Sequence, residues 1–198
     1  MNLNTYNRNF KLFFEYLLFN IHHLYLSHKT QGSKNISLLL TQENIYYLSL
    51  HTRFSSIFYN TQLVDMFSYE LPSLETINNT VKPDSVVDLL TSVVVYNLHN
   101  LIFHERFFFF AVSSHFSSSK SNLLSITELY PNAGWLEREI SELNGVIFSG
   151  KKDLRNLMLQ YGDTSVPFQK AYPSIGLKEV FYDSINDVIV QLPISLQL

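Results

Sequence analysis

The stretch Gly145-Val146-Ile147-Phe148-Ser149-Gly150-Lys151-Lys152 begins like the phosphate-cradling loop G-x-x-x-x-G-K-[ST]. Such a loop wraps polyphosphate in backbone N–H groups and a lysine. It then offers a Ser or Thr hydroxyl to Mg²⁺, on a turn running from a strand into a helix. Here Lys152 stands at the hydroxyl position, and bulky Val146, Ile147 and Phe148 fill the loop. Gly145 follows a helical pattern rather than a strand. A nucleotide-binding enzyme built on Gly145–Lys152 is therefore the weakest reading of the stretch.

The other candidate chemistry is equally thin. Seven histidines invite a metal site. His22 and His23, however, point to different faces of a helical segment, His99 and His104 stand at opposite ends of an expected turn, and no H-E-x-x-H spacing occurs. The chain has no cysteine, which excludes a disulfide framework, a thiolate zinc site and a cysteine-ligated iron–sulfur cluster. Glu137 and Glu139 are two apart and so point about 200° apart on a helix, which rules them out as an adjacent acid/base pair. No G-x-S-x-G nucleophile setting appears. No catalytic, cofactor-binding or metal-ligating residue is expected in this chain.

Composition carries two compatible readings, a bias toward codons rich in A and T, which inflates Phe, Tyr, Ile, Asn and Lys, and a surface made for a partner. Charged residues are 16% of the 198, against about 25% in ordinary soluble domains, while Phe and Tyr number 16 and 12. A surface with that little charge fits a subunit that covers apolar area against a neighbour. The net charge is −3, with 14 Lys and Arg spread along the chain. Nucleic-acid binding draws on clustered cations, so no nucleic-acid partner is expected.

The elements that would position these residues read as follows. Apolar residues at Phe10, Phe13, Phe14, Leu17, Leu18, Ile21, Leu24 and Tyr25 form the stripe of an amphipathic helix. Glu15, Asn20, His22 and His23 make it unsuited to spanning a membrane. Asn35–Leu40 reads as a strand, Glu43 to about Phe54 as a helix, and Leu63–Leu71 as extended. Pro72–Asp84 reads as a loop long enough to be an insertion. Leu89–Leu98 and Glu105–Ser113 read as a hairpin of buried strands, followed by a Ser-rich turn over Ser113–Ser121. Asn132 is placed to cap a helix whose apolar face is Leu136, Ile140 and Leu143, and Gly145 to close it. Along that helix Arg138 and Glu142 stand at i, i+4. A last strand pair is expected at Leu177–Tyr182 and Val188–Leu192. Together these predict an α+β fold: a two-layer α/β sandwich whose mixed, mostly antiparallel sheet carries helices on one face, plus an extended C-terminal arm.

The run Ser125-Ile126-Thr127-Glu128-Leu129-Tyr130-Pro131-Asn132-Ala133-Gly134-Trp135-Leu136-Glu137-Arg138-Glu139 resembles the signature of the thirty-kilodalton subunit family of respiratory complex I, NADH:ubiquinone oxidoreductase. The likeness continues through Glu142, Gly145-Val146, Phe148, Gly150 and Asp153-Leu154-Arg155. It resumes at Pro167–Gly176 and at Glu179-Val180-Phe181-Tyr182-Asp183. The two loop glycines and Phe148 thus belong to this signature. The departures are Lys151-Lys152 in place of His-Pro, Asn156 in place of the second Arg, and Gln169 and Ala171 in place of a later Arg and Asp.

That resemblance implies residues 1–150 as an α+β domain of the thirty-kilodalton type and residues 151–198 as an extended arm with a short hairpin. It implies a non-catalytic scaffold subunit of the hydrophilic arm of complex I, docked beside the forty-nine-kilodalton quinone-site subunit. FMN, iron–sulfur clusters and ubiquinone would lie in partner subunits, with no membrane span in this chain. Its implied place is the matrix side of the mitochondrial inner membrane. The absence of an Arg-rich leader before Glu15 adds the expectation of synthesis inside the mitochondrion, with a bacterial origin as the alternative. The residues expected at subunit interfaces are Glu137, Arg138, Glu139, Glu142, Asp153, Arg155 and Lys170, because Arg–carboxylate pairs suit docking in fixed register. A free-standing adaptor domain is the alternative function.

Overall fold

The strand-like runs of the sequence come together in one five-stranded sheet. The structure is a computed structural model and describes residues 25–31, 35–55, 60–71, 91–101, 104–114 and 122–195. The main sheet contains β1 (Tyr25–Gln31), β2 (Asn35–Leu40), β3 (Thr61–Leu71), β4 (Thr91–Asn100) and β5 (Glu105–Ser114) in the order β1-β2-β5-β4-β3. Only β2 and β5 pair in parallel; the other neighbours are antiparallel. Two helices accompany the sheet among the described residues, α1 (Asn44–Phe54) and α2 (Ala133–Asn144). The fold is thus the α+β class expected, with a mostly antiparallel sheet and few helices.

Period-two burial explains why these segments are strands. In β2 the residues Ile36, Leu38 and Leu40 are buried and alternate with half-buried neighbours. In register with them lie Phe107, Phe109 and Ala111 of β5, and beyond those Val94, Tyr96 and Leu98 of β4. This face joins Ile45 and Leu48 of α1 and Ala133 and Ile140 of α2 in one apolar cluster, so both helices lie on the same side. Each buried Val, Leu, Ile or Phe here is worth about 1.5–3 kcal/mol, which makes this layer the main source of stability. On the opposite face Val93 and Val95 are also buried. Their cross-strand neighbours are Tyr69 and Val112 for Val93, and Phe67 and Phe110 for Val95.

A bulge between Leu63 and Asp65 shifts the β3 register. The inward parity changes there, from Thr61 and Leu63 before it to Met66 after it. Two short strands, β6 (Leu123–Leu124) and β7 (Phe148–Ser149), form a small parallel ladder. Gly145, at φ 75°, ends α2 in the left-handed conformation expected of it, and Gly150, at φ 83°, turns the chain out of β7.

After Gly150 the chain runs through turns and bends to a separate two-stranded ribbon, β8 (Lys178–Asp183) and β9 (Val188–Pro193). Neither strand joins the main sheet. Large apolar side chains here face outward, including Leu154 at 78%, Tyr161 at 78% and Ile185 at 91% exposure.

Three expectations change or fall elsewhere. Tyr25, assigned from the sequence to the end of a helix, starts β1, and Phe10 to Leu24 lie outside the described residues. The Pro72–Asp84 loop also lies outside them. Of the Ser-rich turn only Ser113 and Ser114 are described, and they close β5.

Candidate functional site

Helix α2 organises the charged residues singled out in the sequence. Its buried stripe is Ala133, Glu137, Ile140 and Asn144, the i, i+4, i+7, i+11 spacing of one helix face. The face expected was Leu136, Ile140 and Leu143. Ile140 is buried, whereas Leu136 and Leu143 are only partly so. Glu137, expected at a subunit interface, is 0% exposed and turned into the domain.

A carboxylate tolerates that position only if donors meet it. Ser125 Oγ donates to Glu137 Oε2 at 2.7 Å, and the Ile126 N–H donates to Oε1 at 2.9 Å. Burial raises the Glu137 pKa above the usual carboxylate range, against the pull of those two bonds and of the Lys151 charge. Lys151 is half-buried and donates through Nζ to the Glu137 carbonyl at 3.3 Å. Desolvation lowers the Lys151 pKa despite the nearby Glu137. The phenol of Tyr96, in the core, is pushed well above its ordinary value by burial first and by the Glu137 charge second.

Asn132 does not cap α2 through its side chain. Its Nδ2 donates instead to the Leu63 carbonyl at 2.6 Å, beside the β3 bulge, and so ties the helix start to the sheet.

Further along α2, Arg138 and Glu142 both reach the segment after Gly150. Arg138 Nε donates to the Arg155 carbonyl at 2.9 Å, and Nη2 to the Asn156 carbonyl at 3.1 Å. Its Nη1 lies 3.6 Å from Asp153, its guanidinium sits 5.5 Å from the Trp135 ring centroid, and its side chain is 12% exposed. Glu142 accepts from the N–H groups of Leu157, Met158 at 2.8 Å and Leu159 at 3.1 Å. Burial alone would raise the Glu142 pKa; those three N–H groups, aided by Arg138, outweigh it and hold the carboxyl below its ordinary value.

Asp153 accepts from the Arg155 side chain at 2.8 and 3.0 Å and from the Arg155 N–H at 3.0 Å. Arg155 thereby holds its carboxyl far below the usual range. Glu139 is half-buried, and the Lys170 side chain is exposed. The Lys170 main-chain N–H donates to Glu70 at 2.7 Å, and the Phe168 N–H to the Leu143 carbonyl at 2.9 Å. Between α2 and the arm lies a cavity of about 210 Å³, lined by Arg138, Glu142 and Lys151 among others.

Of the seven residues expected at an interface, then, Arg138, Glu142, Asp153 and Arg155 meet in one intrachain cluster. Glu137 lies beneath it, Glu139 is half-buried on the same helix, and Lys170 is held at a separate place by its main-chain N–H alone, its side chain exposed. Lys151 and Ser125 were missed. The only sequence signal for Lys151 was its departure from the family's His.

The Gly145–Lys152 loop is accounted for by the same contacts. It runs from a helix into a strand, the reverse of a phosphate loop, with Val146 and Phe148 in the core. Lys152 pairs with Glu128 at 3.7 Å on the open surface. The rings of His99 and His104 stand 6.3 Å apart. Among the described residues no group of three His, Cys, Asp or Glu is gathered as a metal site would need, and no helix is long and apolar enough to cross a membrane.

Fold and cluster together define an α+β domain that fastens its own C-terminal segment through charged side chains on one helix. The sequence pattern described as "Respiratory-chain NADH dehydrogenase, 30 Kd subunit" matches residues 74–177, just over half of the chain, and the chain belongs to that family. It is 40% identical over 80 residues to the C subunit of the NADH-quinone oxidoreductase of Erythrobacter litoralis, across 40% of this chain and 32% of that protein. It is 36% identical over 126 residues to NADH-ubiquinone oxidoreductase subunit 9 of Paramecium primaurelia, across 63% of this chain and 56% of that protein. The chain thus spans about a third of the first relative's length and just over half of the second's. A solved trypsin-resistant fragment of Nqo5 aligns at 23% identity with a TM-score of 0.46, over 65% of this chain and 89% of the fragment.

Proposed function

We propose that this chain is a non-catalytic scaffold subunit of the peripheral arm of a respiratory NADH dehydrogenase, and that it supports NADH-to-quinone electron transfer by docking. Its partners are other peripheral-arm subunits, chiefly the forty-nine-kilodalton quinone-site subunit. FMN, iron–sulfur clusters and ubiquinone are held by those partners. The relative named NADH-ubiquinone oxidoreductase subunit 9 favours the matrix face of a mitochondrial inner membrane; the relatives from bacterial NADH-quinone oxidoreductases keep the cytoplasmic face of a bacterial membrane open.

The observation that carries this reading is the outward display of Leu154, Tyr161, Phe168 and Ile185 on the arm. Apolar area of that kind, left uncovered, is typical of surfaces buried on assembly. Residues 1–150 then act as the anchored domain and residues 151–198 as the docking arm. In this scheme Arg138, Glu142, Asp153 and Arg155 serve assembly indirectly, by setting where the arm leaves the domain, while Glu139 and Lys170 remain free to meet a neighbour.

Native-gel migration of the tagged chain tests the proposal. Co-migration with NADH dehydrogenase activity is expected. Arg138→Ala should lower the amount of intact complex by severalfold, because loss of hydrogen bonds made by a charged group costs about 1.5–3 kcal/mol. Turnover per assembled complex should stay near normal. A small stable species with no dependent complex would mean an adaptor. Full assembly of Arg138→Ala with lost turnover would make this segment part of a reaction centre.

A further inference from the structure

We infer that the main chain of Leu157, Met158 and Leu159 is an anion-binding nest that Glu142 fills from within the chain, and that with Arg138 it forms a clasp reading only the backbone of residues 155–159. The inference concerns this chain alone and holds whichever assembly it serves.

Two side chains of one helix grip five residues of the arm. Arg138 takes the carbonyls of Arg155 and Asn156. Glu142, one turn later on the same helix, takes the three N–H groups that follow. Successive N–H groups converging on one point make a concave site for an anion, and bonds to a charged acceptor are stronger than neutral ones. Arg138 adds positive potential at the same place, since its charge is among the influences that lower the Glu142 pKa. Glu142 therefore does what a free carboxylate ion would do, with the helix supplying the tether.

The clasp's bonds all end on main-chain atoms of residues 155–159. The Asn156 Nδ2 turns away to the Gln160 carbonyl at 2.9 Å, and the Met158 side chain is 59% exposed. The clasp thus makes no demand on the side chains of Asn156 and Met158, proline at 158 excepted, because proline lacks the N–H the nest uses. Asn156, which stands where the family pattern has Arg, still offers its carbonyl to Arg138.

The test is amide hydrogen exchange of the full chain, followed in the peptide spanning residues 155–161. In Glu142→Ala the amides of 157–159 should exchange at least about tenfold faster, as expected when bonds to a charged acceptor are lost locally, while β4 and β5 keep their protection. Sodium formate should restore protection in this variant, and sodium chloride at equal ionic strength should not. Met158→Ala should match the unaltered chain. If Glu142→Ala also strips β4 and β5, Glu142→Gln, of the same size but uncharged, is judged by the same criteria. Unchanged exchange at 157–159, failure of formate to restore it, or a Met158→Ala effect as large as that of Glu142→Ala would each overturn the inference.

Discussion

The sheet domain and the arm are held together by opposite means. Between Asn35 and Gly150 large side chains such as Tyr96, Phe107 and Phe109 pack into one interior cluster. From Lys151 onward large apolar side chains face out, and attachment runs through Arg138, Glu142, Asp153 and main-chain bonds to Leu143 and Glu70. Burial is non-directional and sums over many contacts, whereas each polar tie fixes one place and can be lost singly. The domain's shape is its own. The arm's path depends on a few addressable bonds and, in the scheme proposed above, on a neighbour.

The strongest way to break this contrast is to damage the core. Phe109 is 1% exposed and lies between Leu38 of β2 and Tyr96 of β4. Phe109→Ala should lower unfolding stability by about 3–5 kcal/mol, the usual cost of a large core truncation. Urea denaturation of the full chain measures it. A midpoint unchanged from that of the parent would mean that the sheet layer is not what holds the domain.

A finer contrast lies within α2, where two carboxylates one turn and a fraction apart have opposite electrostatics. Glu137→Ala should cost about 1–3 kcal/mol for each buried donor left without an acceptor. The pH dependence separates the two sites. The folded pKa of Glu137 is raised, so folding takes up a proton and Glu137's contribution falls as pH climbs from the unfolded carboxyl value to the raised one. The folded pKa of Glu142 is lowered, so its contribution is present above the unfolded value and is lost as pH falls through the folded one. Glu137→Gln should flatten the first slope and Glu142→Gln the second, read from unfolding midpoints across mildly acidic pH. Two parallel shifts of the same sign would show that the environments assigned to these carboxyls are wrong.

The contrast also marks what could be read from the sequence. Strand β2, the β4–β5 hairpin and the end of α2 at Gly145 were legible because apolar alternation and a left-handed glycine leave local signatures. Strand β1 was not: an edge strand carrying His28, Lys29, Thr30 and Gln31 has little apolar pattern to show. The inward turn of Glu137 was hidden because its donors, Ser125 and Ile126, lie 12 and 11 residues away in a turn. The family signature flagged Arg138, Glu142, Asp153 and Arg155, yet not their use. A clasp that binds main chain requires no particular side chain on the other side, and so writes nothing there.

The smallest expected effect falls at Lys152, which gives the Gly145–Lys152 loop part of its likeness to a phosphate site. Lys152 follows Lys151, but the two differ in setting: Lys151 is half-buried and bonded to the Glu137 carbonyl, while Lys152 meets Glu128 at 3.7 Å with their side chains 77% and 60% exposed. Exposed pairs of this kind contribute about 0–1 kcal/mol, because solvent and salt screen the charges and two long side chains lose freedom in pairing. Lys152→Ala should therefore leave the unfolding free energy within about 0.5 kcal/mol of the parent. It should leave exchange at residues 157–159 unaltered as well, since those amides are held by Glu142. Added ATP with Mg²⁺ should shift neither the parent chain nor the variant in thermal unfolding, because a ligand that bound only the folded form would raise the midpoint with concentration. A concentration-dependent rise in the parent that Lys152→Ala abolishes would restore the nucleotide reading and count against the scaffold assignment for this loop.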